Sequence, residues 1–293
     1  MQETNILIVG GGPAGVVTAG TARKYNPDKK IALVRKSEKS VVPCGIPYIF
    51  HRLDSVDKNI MSDRGLEKNN IDLVIDMASK INPEEKTVEF KSGEKIKYEK
   101  LILATGSKPV KIPIKGVEKE GVWRIEKDFD YLKKLRKKVT SIQNQNIVIV
   151  GGGFIGVELA EELSNIPNLT VHIVEKLDHC LSSTFDQEFC LAAEEKLKQQ
   201  GVRIHTKSLV QEILGKNGVE GVLLENGEKI ETNLVILSIG AVPNSDIIEG
   251  TKIRKGRYGG IWVDEYMKTD VDDIFAVGDC AETRDFFTGE HVP

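Results

Sequence analysis

The chain has 293 residues, of which 40% are hydrophobic and 29% charged, with a net charge of −3. This length favours two domains, and the slightly acidic balance gives no attraction to nucleic acid or anionic membranes, so neither partner is predicted. The apolar runs are too short to span a bilayer, and the polar start MQETN does not predict a signal peptide. Four cysteines favour a reducing, cytoplasmic location over a disulfide framework.

The first motif is a glycine-rich turn within NILIVGGGPAG (5–15). It predicts a strand, a turn and a helix, followed by a second strand in IALVRK (31–36). Gly10, Gly12 and Gly15 occupy the G-x-G-x-x-G positions, with Pro13 and Ala14 between the last two. Such glycines permit the tight turn, the approach of a pyrophosphate and close helix packing. One copy alone could equally be a structural turn.

The residue expected to read a ribose lies about 20 positions after this turn, and an acid is usual there. The chain has Arg35 instead. Glu38 is the nearby carboxylate that could substitute for the acid. The ribose contact of the first unit therefore stays open.

A single cysteine follows, in VVPCGIPYIF (41–50). We expect a helix to begin at Pro43 and Cys44, with Pro47 in its first turn, where a missing N–H does no harm. A thiolate at a helix N-terminus is stabilised by the macrodipole and is the nucleophile of disulfide exchange. His51 would lie two turns away, about 10 Å, too far for a direct base. The alternative is a buried, inert cysteine.

Short strands with turn signals come next, in segments 71–75, 86–90 and 101–109, with a hairpin turn at 92–93. The glycine motif then returns as NIVIVGGGFIG (146–156), followed by VHIVEK (171–176). Further strands are predicted within 202–206, 219–231 and 233–244, with an Asn-Gly turn at 226–227. Two such units predict an α/β fold of two Rossmann-like dinucleotide-binding domains, three-layered, each with a β-meander insertion.

In the second unit Gly151, Gly153 and Gly156 fill the glycine positions, and Glu175 fills the ribose position. A carboxylate there accepts hydrogen bonds from ribose hydroxyls and repels a 2′-phosphate, so NADH is preferred, with NADPH possible. Phe154 and Ile155 complete this predicted cofactor-binding turn.

The order of GGGPAG, a lone-cysteine loop, ATGSKP, GGGFIGVELAE and VGDCAE resembles the flavin-dependent pyridine nucleotide-disulfide oxidoreductases over the whole chain. The resemblance implies FAD in the first unit and NAD(P)H in the second. It implies discontinuous domains, with FAD bound by 1–110 plus 245–293 and NAD(P)H by 111–244. The further cofactor residues it implies are Pro43, Thr105, Gly106, Arg124, Gly278 and Asp279 for FAD, with Asp279 on the ribityl chain, and Gly240 for NAD.

Members of this family with two redox cysteines carry C-x4-C, whereas the fifth residue after Cys44 is Ile49. The chain is similar to the single-cysteine branch, above all to coenzyme A-disulfide reductases and NADH-dependent persulfide or polysulfide reductases. The peroxidase and oxidase branch has a histidine where this chain has Pro13. The resemblance therefore implies reduction of a small disulfide or persulfide through Cys44. The alternatives are an NADH oxidase or peroxidase using a cysteine sulfenic acid, and a non-catalytic nucleotide-binding fragment.

Coenzyme A carries phosphates, which makes Arg23 and Lys24 candidate substrate ligands, although charges at a helix end are commonly only solvated. Cys180, Cys190 and Cys280 match no metal or redox spacing, and no metal site is predicted. The chain stops at TGEHVP, where relatives continue into a flavin-capping helix and a dimerisation domain. We therefore expect a homodimer of any full-length form and a monomer of this chain.

Overall fold

Apolar segments between glycine and polar turns form short strands, and the segments after the two glycine turns form helices. The computed structural model describes residues 1–141 and 145–292. The strands are β1 Gln2–Val9, β2 Ile31–Arg35, β3 Asp72–Ile75, β4 Ala78–Asn82, β5 Thr87–Phe90, β6 Lys95–Leu103, β7 Ser107–Pro109, β8 Val122–Arg124, β9 Gln145–Val150, β10 Leu169–Val174, β11 Arg203–His205, β12 Val210–Leu214, β13 Gly221–Leu224, β14 Lys229–Glu231, β15 Leu234–Leu237, β16 Ala241–Pro243, β17 Ile261–Trp262, β18 Ile274–Ala276, β19 Ala281–Arg284 and β20 His291–Val292. The α-helices are α1 Pro13–Tyr25, α2 Arg64–Lys68, α3 Phe129–Thr140, α4 Phe154–Ser164 and α5 Gln187–Gln199.

Packing divides the chain into two units. Unit 1 comprises Met1–Val42, Met61–Lys108 and Ala241–Pro293, and unit 2 comprises Pro43–Ile60 and Pro109–Gly240. The segment around Cys44 thus packs with unit 2, although chain continuity placed it in the first predicted domain. Which unit holds which cofactor stays a prediction.

Unit 1 contains a seven-stranded sheet in the order β3-β2-β1-β6-β5-β4, with β18 beside β6. Strands β1, β2, β3, β6 and β18 pair in parallel, while β4, β5 and β6 form an antiparallel meander. Residues of β1 alternate between two cores: Ile6 and Ile8 pack with Ala19 of α1, and Leu7 and Val9 with the meander. Burial of both faces is characteristic of a parallel sheet.

Unit 2 contains a five-stranded sheet in the order β11-β10-β9-β15-β8, all of it parallel. A separate antiparallel meander of β12, β13 and β14 packs its buried side chains with those of β9 and β15. The Asn226–Gly227 turn joins β13 to β14, and Gly227 has the positive φ of +85° that such turns require. The predicted α/β fold with two Rossmann-type sheets and meander insertions is confirmed.

The helix expected to run from Pro43 to residue 53 is wrong. The structure has two three-residue 3₁₀ helices instead, Pro43–Gly45 and Pro47–Ile49. Pro47 has no N–H to give to the carbonyl of Pro43, so the α-helical ladder cannot form. The bonds that do form span three residues, from Ile46 N to Pro43 O and from Ile49 N to Ile46 O. Without this α-helix, no macrodipole stabilises the Cys44 thiolate, and the distance of about 10 Å expected between Cys44 and His51 no longer applies.

Among the described residues, no helix combines the length and the apolar character needed to cross a membrane.

Candidate nucleotide-binding sites and the Cys44 segment

The carboxyl ends of parallel strands meet at one edge of a sheet, and ligands of such sheets bind there. In unit 1 the neighbouring strands β1, β6 and β18 end at this edge. The loops that follow them contain the turn from Gly10 to Gly15, the residues from Ala104 to Ser107 and the 3₁₀ helix Gly278–Cys280. The fold therefore brings together segments that lie far apart in the sequence.

The three motif glycines of unit 1 have different structural roles. Gly10 has φ +128°, and a β-carbon on it would overlap the carbonyl oxygen of Ala104. A β-carbon on Gly15 would overlap the carbonyl oxygen of Gly10, so these two glycines build the turn. A β-carbon on Gly12 would meet nothing within 4 Å. Gly12 thus leaves open space at the start of α1, where backbone N–H groups and the helix dipole favour a phosphate.

Pro13 and Ala14 begin α1 beside this space. Pro13 lies in the first turn of the helix, where its fixed φ suits the helix and no N–H is needed. Gly278 has φ +71°, and a β-carbon on it would lie 2.7 Å from the β-carbon of Ala14. Asp279, the residue after Gly278, is exposed.

The loop after β6 is fixed by two side-chain hydrogen bonds. The hydroxyl of Thr105 donates to the carbonyl oxygen of Asn244 (2.5 Å), and the hydroxyl of Ser107 donates to Oδ2 of Asp279 (2.8 Å). Gly106 between them has φ +70°, and a β-carbon on it would meet nothing within 4 Å. Ser107 and Asn244 were not predicted, because their roles depend on partners 172 and 139 residues away.

Unit 2 repeats the first glycine arrangement. Gly151 has φ +105°, and a β-carbon on it would lie 2.6 Å from the carbonyl oxygen of Ser238. A β-carbon on Gly156 would overlap the carbonyl oxygen of Gly151, whereas one on Gly153 would meet nothing within 4 Å. Ser238, which was not predicted, also donates its hydroxyl to Gly151 O (2.8 Å). The second turn therefore has the same rigid frame and the same open space.

Glu175 follows β10 and is buried, with 8% of its surface exposed. Its Oε2 accepts from the N–H of Gly152 (2.6 Å), and its Oε1 accepts from the N–H of Leu177 (2.8 Å). These bonds fix the carboxylate against the glycine turn. Each oxygen keeps capacity for a further donor, such as a hydroxyl group.

Other predicted residues of unit 2 lie around the same edge. Phe154 and Ile155 begin α4 and are exposed, and the ring of Phe154 packs edge-on against Phe185 at 5.7 Å. Gly240 has φ +100° with open space at its β-carbon position. Arg124 ends β8, and its Nε is buried without a hydrogen-bond partner among the described residues.

Cys44 is the exposed cysteine, whereas Cys180, Cys190 and Cys280 are buried. Burial, followed by the charges of Glu194 and other neighbours, raises the pKa of the Cys180 thiol to about 12. A thiol with that pKa is protonated at neutral pH and is a poor nucleophile. The cysteine singled out in the sequence is thus the accessible one.

Two unpredicted arginine contacts hold the Cys44 segment within unit 2. The backbone N–H of Arg52 donates to Oε2 of the buried Glu162 on α4 (2.8 Å), and Arg52 Nε lies 3.2 Å from Glu162 Oε1. Arg136 of α3 donates from Nε to Ile49 O (2.9 Å) and from Nη2 to Asp54 Oδ1 (2.6 Å). Residues 49–54 of the segment are therefore held by α4 through Glu162 and by α3 through Arg136.

Glu158, also on α4, was not singled out in the sequence. It is half-buried, and burial together with the charge of Glu161 raises its pKa above the ordinary glutamate value. A carboxyl group with a raised pKa, one turn into the helix that follows the glycine turn, is a candidate functional group. In the sequence, the one feature that could have pointed to Glu158 is its position one helical turn after Phe154.

The predicted substrate ligands differ in availability. Arg23 donates from Nε to Asn69 O (2.8 Å) and from Nη2 to Asn70 O (2.9 Å), and its Nη1 donates to carbonyls that include Lys29 O (2.7 Å). A phosphate would have to displace these bonds. Lys24 is exposed, with Nζ 5.4 Å from the ring centre of Tyr25.

Comparison with known proteins gives the family. Residues 4–291 match the family described as Pyridine nucleotide-disulphide oxidoreductase. The chain belongs to this family. Its members are flavoproteins that use NAD(P)H, so a flavin and a nicotinamide dinucleotide are its cofactors. The open spaces at Gly12 and Gly153 fit the two pyrophosphates that such cofactors carry.

Three relatives illustrate the similarity. The NAD(P)H coenzyme A polysulfide/persulfide reductase of Pyrococcus horikoshii is 32% identical, over 99% of this chain and 66% of its own length. The NADH oxidase of Methanocaldococcus jannaschii is 33% identical, over 97% and 64%. The solved NAD-dependent persulfide reductase of A. fulgidus superposes with a TM-score of 0.89 at 30% identity, over 98% of this chain and 55% of that one. The chain thus spans a little under two thirds of the length of these two curated relatives.

Proposed function

We propose that the chain is the nucleotide- and thiol-bearing part of an oxidoreductase that uses NADH to reduce a low-molecular-weight disulfide or persulfide, such as coenzyme A disulfide or a polysulfide. The observation that carries the proposal is the state of the cysteines: Cys44 is exposed, while the other three are buried. A single accessible thiol has no internal partner, so it exchanges with a sulfur of an external molecule.

Unit 1 would hold FAD. Gly12 and the start of α1 would receive the pyrophosphate, and Asp279 would accept hydrogen bonds from the ribityl hydroxyls, with Thr105 and Gly106 beside it. The proposed FAD domain is 1–110 plus 245–293, and the proposed NAD(P)H domain is 111–244. Pro43 and Arg124 remain proposed FAD contacts.

Unit 2 would hold the nicotinamide dinucleotide at Gly153, with Phe154, Ile155 and Gly240 around it. Glu175 supports NADH over NADPH, because a fixed carboxylate accepts from ribose hydroxyls and repels a 2′-phosphate. Bound FAD would supply the redox step that takes the electron pair of NADH as hydride. The buried thiols and the absence of disulfides among the described residues fit a reducing compartment such as the cytoplasm.

The work of Cys44 is thiol–disulfide exchange. Its thiolate attacks one sulfur of the substrate, forming a Cys44–sulfur bond and releasing the other sulfur as a thiolate. Two electrons, which come from NADH, then break the mixed disulfide. This returns Cys44 as a thiolate and releases the second sulfur as a thiolate that takes a proton from water.

The test is NADH consumption with coenzyme A disulfide and with polysulfide, on the chain and on any longer form. Cys44→Ser is expected to abolish the reaction while FAD and NADH still bind. The matched control is Cys190→Ala, a buried cysteine that takes no part in the proposed thiol exchange, which keeps activity. Turnover in Cys44→Ser would exclude the mechanism, and bound cofactors without turnover in the wild type would favour a purely nucleotide-binding role.

An NADH oxidase is the second candidate, and the 33% identity to the Methanocaldococcus jannaschii enzyme favours it. Cys44 would then cycle through a sulfenic acid, which forms when its thiolate attacks one oxygen of hydrogen peroxide, breaking the O–O bond and releasing the other oxygen as hydroxide. Two electrons from NADH would then break the S–O bond, returning the thiolate and releasing the oxygen as water. The same assay with oxygen or hydrogen peroxide as acceptor separates the two candidates. Oxidase activity is expected to exceed disulfide reduction only if this second function is correct.

A further inference from the structure

The two glycine turns allow a comparison within one chain. A β-carbon on Gly152 would lie 3.2 Å from the β-carbon of Glu175, and a β-carbon on Gly11 would lie 2.6 Å from that of Arg35. Glu175 follows β10 directly, and Arg35 is the last residue of β2. The two side chains therefore occupy equivalent places beneath equivalent turns, with opposite charges.

Arg35 is enclosed, with 5% of its side chain exposed. Its Nη1 and Nη2 form a two-pronged ion pair with Oδ1 and Oδ2 of Asp63, at 2.6 and 2.7 Å. Its Nε donates to Ser37 O (2.9 Å), and Nη2 also donates to Glu38 O. All three guanidinium nitrogens thus donate to protein partners, so few N–H groups of Arg35 remain for a ligand.

Asp63 is the accessible member of the pair, with 32% of its side chain exposed. Each of its oxygens accepts one bond from Arg35 and keeps capacity for another donor. The pairing also balances the charge, so the site presents a carboxylate without the net negative field of an isolated acid. A carboxylate with spare acceptor capacity is what a ribose needs, because its hydroxyls donate hydrogen bonds.

We propose that Asp63 is the carboxylate that reads the adenosine ribose of the dinucleotide in unit 1, and that Arg35 is the positioning residue that holds it there. Unit 2 places its acid at the end of a strand. Unit 1 brings its acid from a position 28 residues further along the chain and fixes it through Arg35. The inference rests on the proposed binding of FAD by unit 1.

The test compares FAD with an analogue whose adenosine ribose lacks both hydroxyl groups. Dissociation constants are measured by flavin fluorescence on the apoprotein, without any turnover. The wild type is expected to bind FAD about tenfold more tightly than the analogue, because the analogue leaves an acceptor unpaired. In Asp63→Asn, which keeps the shape and loses the charge, that ratio is expected to fall to about two or less.

A merely structural role for Asp63 would weaken both ligands equally and leave the ratio unchanged, which would overturn the inference. Glu38→Gln is the matched control, because Glu38 is a neighbouring acid outside the pair. If this variant, and not Asp63→Asn, loses the preference for FAD over the analogue, the inference is also overturned. The double variant Arg35→Glu with Asp63→Asn places the acid where unit 2 has Glu175 and is expected to restore the preference.

Folding of each variant is checked by circular dichroism. If either single variant is unfolded, the double variant still tests the inference. A preference for FAD over the analogue in the double variant supports an acid that reads the ribose from either position, and equal binding of the two ligands contradicts it. Wild-type protein that binds neither FAD nor the analogue would count against the proposed function itself. Wild-type protein that binds both ligands equally would count against this inference alone.

Discussion

Replacing Gly153 by alanine separates ligand binding from folding. Gly153 caps α4 with φ −74° and ψ −172°, a backbone conformation that alanine adopts freely. Its β-carbon would meet nothing within 4 Å of the protein. The cost to stability is therefore limited to the weaker capping preference of alanine, less than about 1 kcal/mol.

The cost to NADH binding is expected to be much larger. The added methyl group fills the space through which the backbone at the start of α4 approaches a pyrophosphate. A displaced phosphate loses charge-assisted hydrogen bonds to N–H groups, each worth about 1.5 to 3 kcal/mol. Loss of one to two such bonds, about 3 kcal/mol in total, raises the dissociation constant of NADH roughly 100-fold.

The assay is titration of NADH by its fluorescence, with the thermal unfolding midpoint measured in parallel. Gly12→Ala is the reciprocal control in unit 1: FAD binding is expected to weaken by a similar factor while NADH binding is kept. Gly153→Ala that folds normally and binds NADH as the wild type does would refute the reasoning. A loss of NADH binding in Gly12→Ala alone would reverse the proposed cofactor assignment.

Three further predictions concern the thiol, its anchor and pH. Iodoacetamide is expected to modify Cys44 at least about tenfold faster than the three buried cysteines, as checked by peptide mass spectrometry under native conditions. Glu162→Gln is expected to cost about 1 to 3 kcal/mol in urea unfolding and to slow disulfide reduction about tenfold, because the N–H of Arg52 loses a buried charged acceptor. Glu161→Gln is the control: its side chain is 43% exposed and lies 3.6 Å from Arg52, and such a solvated ion pair contributes little, so both quantities are expected to stay near the wild-type values. Burial, followed by the nearby His205, lowers the pKa of His172 from 6.5 to about 4, so the unfolded chain takes up a proton that the folded chain does not. The stability from neutral His172 is complete above pH 6.5 and is lost as the pH falls toward 4, and His172→Gln is expected to flatten this slope in urea unfolding measured across that range.

The glycine turns were predictable because their causes are local. A tight turn after an apolar strand needs a positive φ, and the sequence meets that need at Gly10 and Gly151 within a few residues of each strand. The repeat of the pattern then indicated the fold class. The Asn226–Gly227 turn was predictable for the same reason, since two adjacent residues determine it.

The Cys44 segment and the proposed ribose site could not be predicted in full. The expected helix failed because Pro47 interrupts the hydrogen-bond ladder at the position where the carbonyl of Pro43 needed a donor. The roles of Arg35 and Glu162 depend on Asp63 and Arg52, which lie 28 and 110 residues away. A pattern read along the chain carries no information about such partners.

The packing of the Cys44 segment has a consequence for the chemistry proposed above. Gly153, the open position of the second glycine turn, is the N-cap of α4, and Glu162 near the other end of this helix holds the segment that carries Cys44. The proposed NADH site and the proposed reactive thiol are therefore attached to one helix of 11 residues. A change that shifts α4 is expected to alter both nucleotide affinity and thiol reactivity, whereas a change confined to Gly153 alters only the first. The pair Gly153→Ala and Glu162→Gln distinguishes these two kinds of change within a single element.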